Sequence, residues 1–228
     1  MGTTLREIIY GIGGGLKGGK KFKAVQTGGP SGGCISEKNL DLPIDYDNLV
    51  SIGSMMGSGG MIIMDEDDCM VSIAKYYLKF SEGESCGRCT PCRIGSRRIS
   101  ELLNMITDGR GKMEHIEELK RISYTMKDTA LCALGQTAPN PVLSTMENFW
   151  DEYVAHVVDK RCPTGTCRKM TRYQIDPTRC TGCSLCSRNC PVDAISGVLR
   201  SPFTIDQSKC IKCGTCMEKC NFGAISIG

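Results

Sequence analysis

The sequence repeats itself between Cys180 and Cys220. Cys180-x2-Cys183-x2-Cys186-x3-Cys190-Pro191 recurs thirty residues later as Cys210, Cys213, Cys216 and Cys220, with Asn221 in place of the proline. The halves then run into matching ends, Asp193-Ala-Ile-Ser196 and Gly223-Ala-Ile-Ser226. Between them lie only short apolar segments, too few for a conventional core, so the region must fold around something it binds. Three thiolates within seven residues can wrap three corners of an iron–sulfur cubane, while the fourth Cys of the run is carried by a helical turn to the other cubane. The spacing therefore predicts two [4Fe–4S] clusters with crossed ligand sets: Cys180, Cys183, Cys186 and Cys220 for cluster A, and Cys210, Cys213, Cys216 and Cys190 for cluster B. Zinc ribbons use two C-x2-C pairs set farther apart and fit these runs poorly.

Sixteen of the 228 residues are Cys, about the density of a disulfide scaffold or a metalloprotein. The first ten residues already carry Arg6 and Glu7, no secretory h-region follows, and no apolar run reaches the ~18 residues of a membrane span. A cytoplasmic, reducing setting is expected, in which close-spaced cysteines are metal ligands. A net charge of +3 gives no polybasic surface for nucleic acid or an anionic membrane.

Cys86-x2-Cys89-x2-Cys92 offers three more thiolates within seven residues and needs one more for a third cubane. Cys132, in Thr129-Ala-Leu-Cys-Ala-Leu-Gly135, is the candidate, since antiparallel helices can return that loop to the same end of a bundle. By spacing alone Cys34 and Cys69 remain open.

Around these runs the apolar periodicity predicts an α+β, multidomain chain. Thr4-x-x-Glu7 is a capping-box signature, and Leu5, Ile8, Ile9 and Ile12 follow at helical spacing. The glycine patterns from Gly13 to Lys20 imitate nucleotide loops but sit after a helix and before the strand-like Phe22–Gln26, so they read as connections. With a strand at Met61–Met64, residues 1–65 form a small α+β unit. Asp67 or Asp68 can cap a helix bearing Met70, Ile73, Ala74 and Tyr77. Stripes at Ile99, Leu102, Leu103 and Ile106, at Ile116, Leu119, Ile122 and Met126, and at Met146, Phe149, Trp150, Tyr153 and Val157 complete a four-helix bundle over 66–160, its last helix starting at Asn140-Pro141. Residues 161–170 are a hinge and 171–228 the two-cluster, ferredoxin-like domain.

Glu84-Ser-Cys-Gly-Arg-Cys-Thr-Pro-Cys-Arg93, taken with Gly28-Gly-Pro-Ser-Gly-Gly33, resembles the C-terminal half of the NADH-oxidising flavoprotein subunit shared by respiratory complex I and soluble hydrogenases. The attached two-cluster domain narrows the resemblance to the beta subunit of electron-bifurcating iron-only hydrogenases, or to NADP-reducing hydrogenase and formate dehydrogenase relatives. It covers essentially the whole chain. It implies a soluble-ligand-binding β-grasp unit at 1–65, truncated because its first strands belong before Thr3, and Cys132 as the fourth ligand of the bundle cluster. It also places FMN and NAD on an N-terminal domain that this sequence lacks, so the chain is expected to relay electrons without being catalytic by itself. Implied partners are that flavin/NADH domain, a small [2Fe–2S] subunit, a hydrogenase catalytic subunit and ferredoxin. The competing function classes are a zinc-stabilised cysteine-rich interaction module and an independent NADH dehydrogenase, the latter disfavoured by the missing nucleotide-binding fold.

Four cysteines remain. His156-x5-Cys162-x4-Cys167 supplies three ligands of a closed tetrahedral zinc site, with Cys69 as the chosen fourth and Cys34 behind it. The plain alternative is two reduced linker thiols and an exposed histidine. Arg88, Arg93, Arg97 and Arg98 can offset cluster charge or be a solvated helix face. Tyr76, Tyr77, Phe149 and Trp150 are at core spacing, His115 is an ordinary helix-edge residue, and Asp65–Asp68 is a run of helix-dipole partners.

Overall fold

The computed structural model describes residues 2–227 and divides into two compact units, Met1–Cys167 and Arg168–Gly228. The first opens with the expected capping box: the Thr4 N–H donates to Glu7 Oε2 at 2.9 Å, and the Glu7 N–H donates to Thr4 Oγ1 at 3.1 Å. The turn that follows, Glu7–Ile12, is π-helical; Leu5 just before it and Ile9 within it are buried, whereas Ile12 is 79% exposed. Strands β1 (Phe22–Thr27), β2 (Cys34–Ser36) and β3 (Met61–Asp65) form an antiparallel sheet in the order β2-β1-β3. Before β3, a short helix α1 (Tyr46–Ser51) is capped by Asp45, whose Oδ1 accepts from the Asn48 N–H.

Alternation along β1 sends neighbouring residues to opposite faces. Val25 packs with Leu5, Ile9, Ile35, Leu40 and Leu49 on one side. Ala24 packs with Cys34, Met64 and Met70 on the other, where Ile73 and Phe149 of the helices join them.

The helices are α2 (Met70–Gly83), α3 (Thr90–Thr107), α4 (Met113–Thr129), α5 (Ala133–Thr137), α6 (Asn140–Asn148) and α7 (Trp150–Val157). The stripe on α3 is buried throughout, with Ile99, Leu102, Leu103 and Ile106 at 0% exposure. Each such burial contributes about 1.5–3 kcal/mol relative to an exposed side chain.

Three local expectations are corrected. Neither Asp67 nor Asp68 caps α2: the N-cap is Cys69, and the Met70 N–H donates instead to Glu152 Oε2 at 2.9 Å. The stripe from Met146 to Val157 is not one helix, because Phe149 leaves helical geometry at φ −135°, ψ 42° and separates α6 from α7. The break lets Phe149 pack toward the sheet while α7 delivers Glu152 to the start of α2. Trp150 is thereby left 39% exposed instead of in the core.

The second unit is built twice. Strands β4 (Tyr173–Ile175) and β6 (Thr204–Ile205), and helices α8 (Leu185–Arg188) and α9 (Thr215–Glu218), occupy equivalent places, as do β5 (Ile195–Ser196) and β7 (Ile225–Ile227). β4 pairs with β7 and β5 with β6, so the opening strand of each half is hydrogen-bonded to the closing strand of the other. Among the described residues no helix is long and apolar enough to cross a membrane.

Candidate metal and cluster centres

Two small cavities, one in each half of the repeat, lie in the second unit. The first is lined by Cys180, Cys183, Cys186 and Cys220, with Ile175, Phe203 and Ile225 supplying apolar wall. The second is lined by Cys210, Cys213, Cys216 and Cys190, with Tyr173, Ile195 and Ile205. Each cavity thus draws three cysteines from one run and the fourth from the other.

The backbone explains how such short loops turn four sulfurs inward. Equivalent residues in the two halves have left-handed φ: Gly182 and Lys212 at 70° and 60°, Ser184 and Gly214 at 61° and 84°, Asp193 and Gly223 at 49° and 55°. Ser184, Asp193 and Lys212 bear a steric cost that glycine would not, and such strain persists only where the surroundings fix it. Turned this way, main-chain amides reach the sulfurs: Ala194 N–H to Cys190 Sγ and Ala224 N–H to Cys220 Sγ, both 3.3 Å, and Lys212 N–H to Cys210 Sγ, 3.4 Å. The hydroxyl and amide of Thr215 hold the Cys213 thiol below its usual range, while burial pushes Cys216 up to about 11. A cation inside the cavity would reverse that burial penalty by favouring thiolate.

In the first unit Cys89 is the N-cap of α3 and Cys132 the N-cap of α5. Hydrogen bonding from the Leu131 amide, then from that of Cys92, lowers the Cys89 thiol, so the loop before Cys132 lies against Cys89. Gly135 closes the approach from α5: a Cβ there would stand 2.7 Å from Ala130 Cβ, 3.0 Å from Cys92 Cβ and 3.4 Å from Cys92 Sγ. Cys86 and Cys132 are exposed and Cys92 is buried. The alternatives are placed elsewhere: Cys34 lies in the sheet core with Ala24 and Met64, and Cys69 faces His156. Of the neighbouring arginines, Arg97 and Arg98 engage Glu101 and Glu118, and Arg93 donates to the Gly87 carbonyl oxygen. His115 accepts from the Lys112 N–H at the start of α4.

The donor atoms of Cys69, His156, Cys162 and Cys167 all lie within 4.8 Å of one another. His156 Nε2 is 3.4 Å from the sulfurs of both Cys69 and Cys167, and those sulfurs are 3.7 Å apart. Tetrahedral zinc, with Zn–S about 2.3 Å and Zn–N about 2.0–2.1 Å, gives S···S edges of about 3.8 Å and S···N edges of about 3.5 Å. The four residues are 0–7% exposed, as in a closed structural site. His156 Nδ1 is 2.7 Å from the Glu152 carbonyl oxygen, which fixes the proton on Nδ1 and turns Nε2 to the sulfurs. The Glu152 carboxylate is itself held by Lys23 Nζ at 2.5 Å.

Crowding three thiols allows only one to ionise cheaply. Hydrogen bonds from Cys167 and Cys69 draw the Cys162 thiol far down. Its interaction with the other two pushes Cys69 far up and Cys167 to about 12. Burial opposes the charged form of His156, but hydrogen bonding to Cys162 and Cys69 outweighs it and raises the group to about 10. A divalent cation held by these four residues would resolve this frustration by stabilising all three thiolates and the neutral imidazole together.

Comparison with known proteins follows the same division. Residues 72–156 match the NADH-ubiquinone oxidoreductase-F iron-sulfur binding region, and residues 172–221 match the 4Fe-4S dicluster domain. NADP-reducing hydrogenase subunit HndC of Solidesulfovibrio fructosivorans is 58% identical over 202 residues, which are 89% of this chain and 41% of that protein. This chain belongs to that family of subunits. The F-type subunit of NADH-quinone oxidoreductase from Mycobacterium tuberculosis (strain ATCC 25618 / H37Rv) is 38% identical over 163 residues, 72% of this chain and 36% of that protein. The chain therefore corresponds to the C-terminal region of the family and spans about two-fifths of the length of the curated relatives it matches. Crystal structures of NAD+-reducing [NiFe]-hydrogenase, H2-reduced and air-oxidized, superpose with TM-scores of 0.60 and 0.61 at 25% identity, covering 68% of this chain and 26% of theirs.

Proposed function

We propose that the chain is an iron–sulfur electron relay carrying three [4Fe–4S] clusters and one structural zinc. The observation that carries this reading is the crossed lining of the two cavities, in which each half of the repeat completes the other's ligand set. Cys86, Cys89, Cys92 and Cys132 hold the third cubane at the end of the bundle, and Cys69, His156, Cys162 and Cys167 hold the zinc. When bound, the cubanes supply one-electron redox chemistry. The protein's part is to fix thiolates, aim amide donors at their sulfurs and exclude water with apolar walls.

In this reading residues 1–65 are part of a β-grasp, soluble-ligand-binding unit, 66–160 the cluster-bearing bundle, 161–170 the linker containing two zinc ligands, and 171–228 the two-cluster domain. The relay serves an NAD(P)-linked, electron-bifurcating hydrogenase. FMN and NAD sit on a separate N-terminal domain, and a small [2Fe–2S] subunit, a hydrogenase catalytic subunit and ferredoxin are the partners. Reductive titration of the anaerobically reconstituted chain tests the relay: three one-electron equivalents with three EPR components are expected. Uptake of two equivalents or fewer by an iron-saturated sample contradicts it.

A further inference from the structure

Most donors that reach cysteine sulfur in this protein are main-chain amides, which every sequence possesses. Ser85 is different. Its Oγ lies 3.2 Å from Sγ of the buried Cys92. A thiolate bound to iron has no proton, so this hydrogen bond must run from the serine hydroxyl to the sulfur. The hydroxyl is also oriented, because the Gly87 N–H donates to Ser85 Oγ at 3.3 Å and occupies the oxygen from the other side. Gly87 adopts φ +72°, and its carbonyl oxygen accepts from Arg93 Nη1 at 3.0 Å, so the turn presenting Ser85 is tied to the helix that carries Cys92.

We propose that Ser85 sets the reduction potential of the bundle cubane through this single side-chain hydrogen bond. The inference rests on the reading of Cys86, Cys89, Cys92 and Cys132 as one ligand set. Reduction adds one negative charge to the cluster and its thiolates, and a donor aimed at sulfur stabilises the more negative state. The burial of Cys92 strengthens that effect by lowering the local dielectric. Ser85 thus makes the cluster easier to reduce, while Arg97 and Arg98 are engaged by carboxylates.

The test is an EPR-monitored redox titration of the full, anaerobically reconstituted chain as wild type, Ser85→Ala and Ser85→Thr, with the two clusters of the second unit as internal references. Ser85→Ala should lower the reduced-to-oxidised ratio of the bundle cluster at fixed potential by about three- to tenfold, or about 28–59 mV at 59 mV per decade for one electron. Ser85→Thr should restore the wild-type ratio, and the reference clusters should not move. Twelve irons with an unchanged bundle midpoint in Ser85→Ala overturns the proposal. So does a Ser85→Ala chain that falls to eight irons while wild type holds twelve, since Ser85 would then be scaffold alone. Eight irons in every variant, with no bundle signal, overturns the relay reading along with it.

Discussion

The cluster loops of the second unit and the Cys69–His156–Cys162–Cys167 set of the first are both built from cysteine, yet they are assembled by opposite means. In the second unit three ligands of each set fall within seven residues, and the second run starts thirty residues after the first. Local left-handed backbone aims them, and two short strand pairings between the halves suffice to deliver the fourth. In the first unit Cys69 meets Cys167 across 98 positions, and the meeting depends on the packing of α2, the break at Phe149 and the position of α7. A locally encoded site tolerates damage elsewhere in the chain. A site assembled by tertiary structure is itself part of what holds that structure together.

The largest expected effect follows from that second property. His156→Ala combined with Cys162→Ser should lose the zinc and destabilise the first unit by several kcal/mol, given that structural zinc contributes about 10–16 kcal/mol in small zinc-dependent folds. Thermal unfolding followed with metal analysis reads it; under native conditions the iron content should be unchanged. If the double variant keeps its zinc, the contrast between the two kinds of site collapses.

Next in size, Cys89→Ala should remove one cubane and leave the two in the second unit, because the ligand sets do not overlap. Spin counting by EPR on the reduced variant checks this, and simultaneous loss of all three signals in a folded sample would break the division into units. Gly135→Ala should cost about 1–3 kcal/mol by forcing a methyl against Ala130 and Cys92. It should also lower occupancy of the bundle cluster alone, seen as a loss of only that EPR component.

Glu152→Gln is a smaller perturbation, expected at about 1–2 kcal/mol in chemical denaturation. It weakens the largely covered pair with Lys23 and the cap on the Met70 amide while keeping one side-chain oxygen as acceptor. A loss below about 0.5 kcal/mol would show that α7 is held in place by His156 and its partners alone.

The same contrast explains what could be read in the sequence. The crossed lining of the two cavities followed from spacing, since a cubane needs four sulfurs in a small volume and two interleaved runs supply them. The capping box at Thr4 and Glu7 was legible for the same reason: its partners are three residues apart. Cys132 required knowing that a distant loop returns to Cys89, and spacing alone left Cys34 and Cys69 as rivals. The cap of α2 was invisible, because the acid that satisfies the Met70 amide is 82 positions away while two aspartates stand just upstream. The break at Phe149 was hidden too: apolar residues keep helical phase across it, and only packing against Ala24, Cys34, Met64 and Met70 favours the kink. Ile12 kept its place in the helical spacing yet faces solvent. For the scattered set, elimination of the other twelve cysteines left Cys34, Cys69, Cys162 and Cys167, with Cys69 preferred beside His156, Cys162 and Cys167, and the structure brings those four together.

Both kinds of site enter the proposed stoichiometry: three cubanes and one zinc on sixteen cysteines, with only Cys34 unassigned. Iron, acid-labile sulfide and zinc measured together on the full chain after anaerobic purification test it most directly. About twelve irons, about twelve sulfides and one zinc per chain are expected. Eight irons, or several zincs with no sulfide, would contradict it.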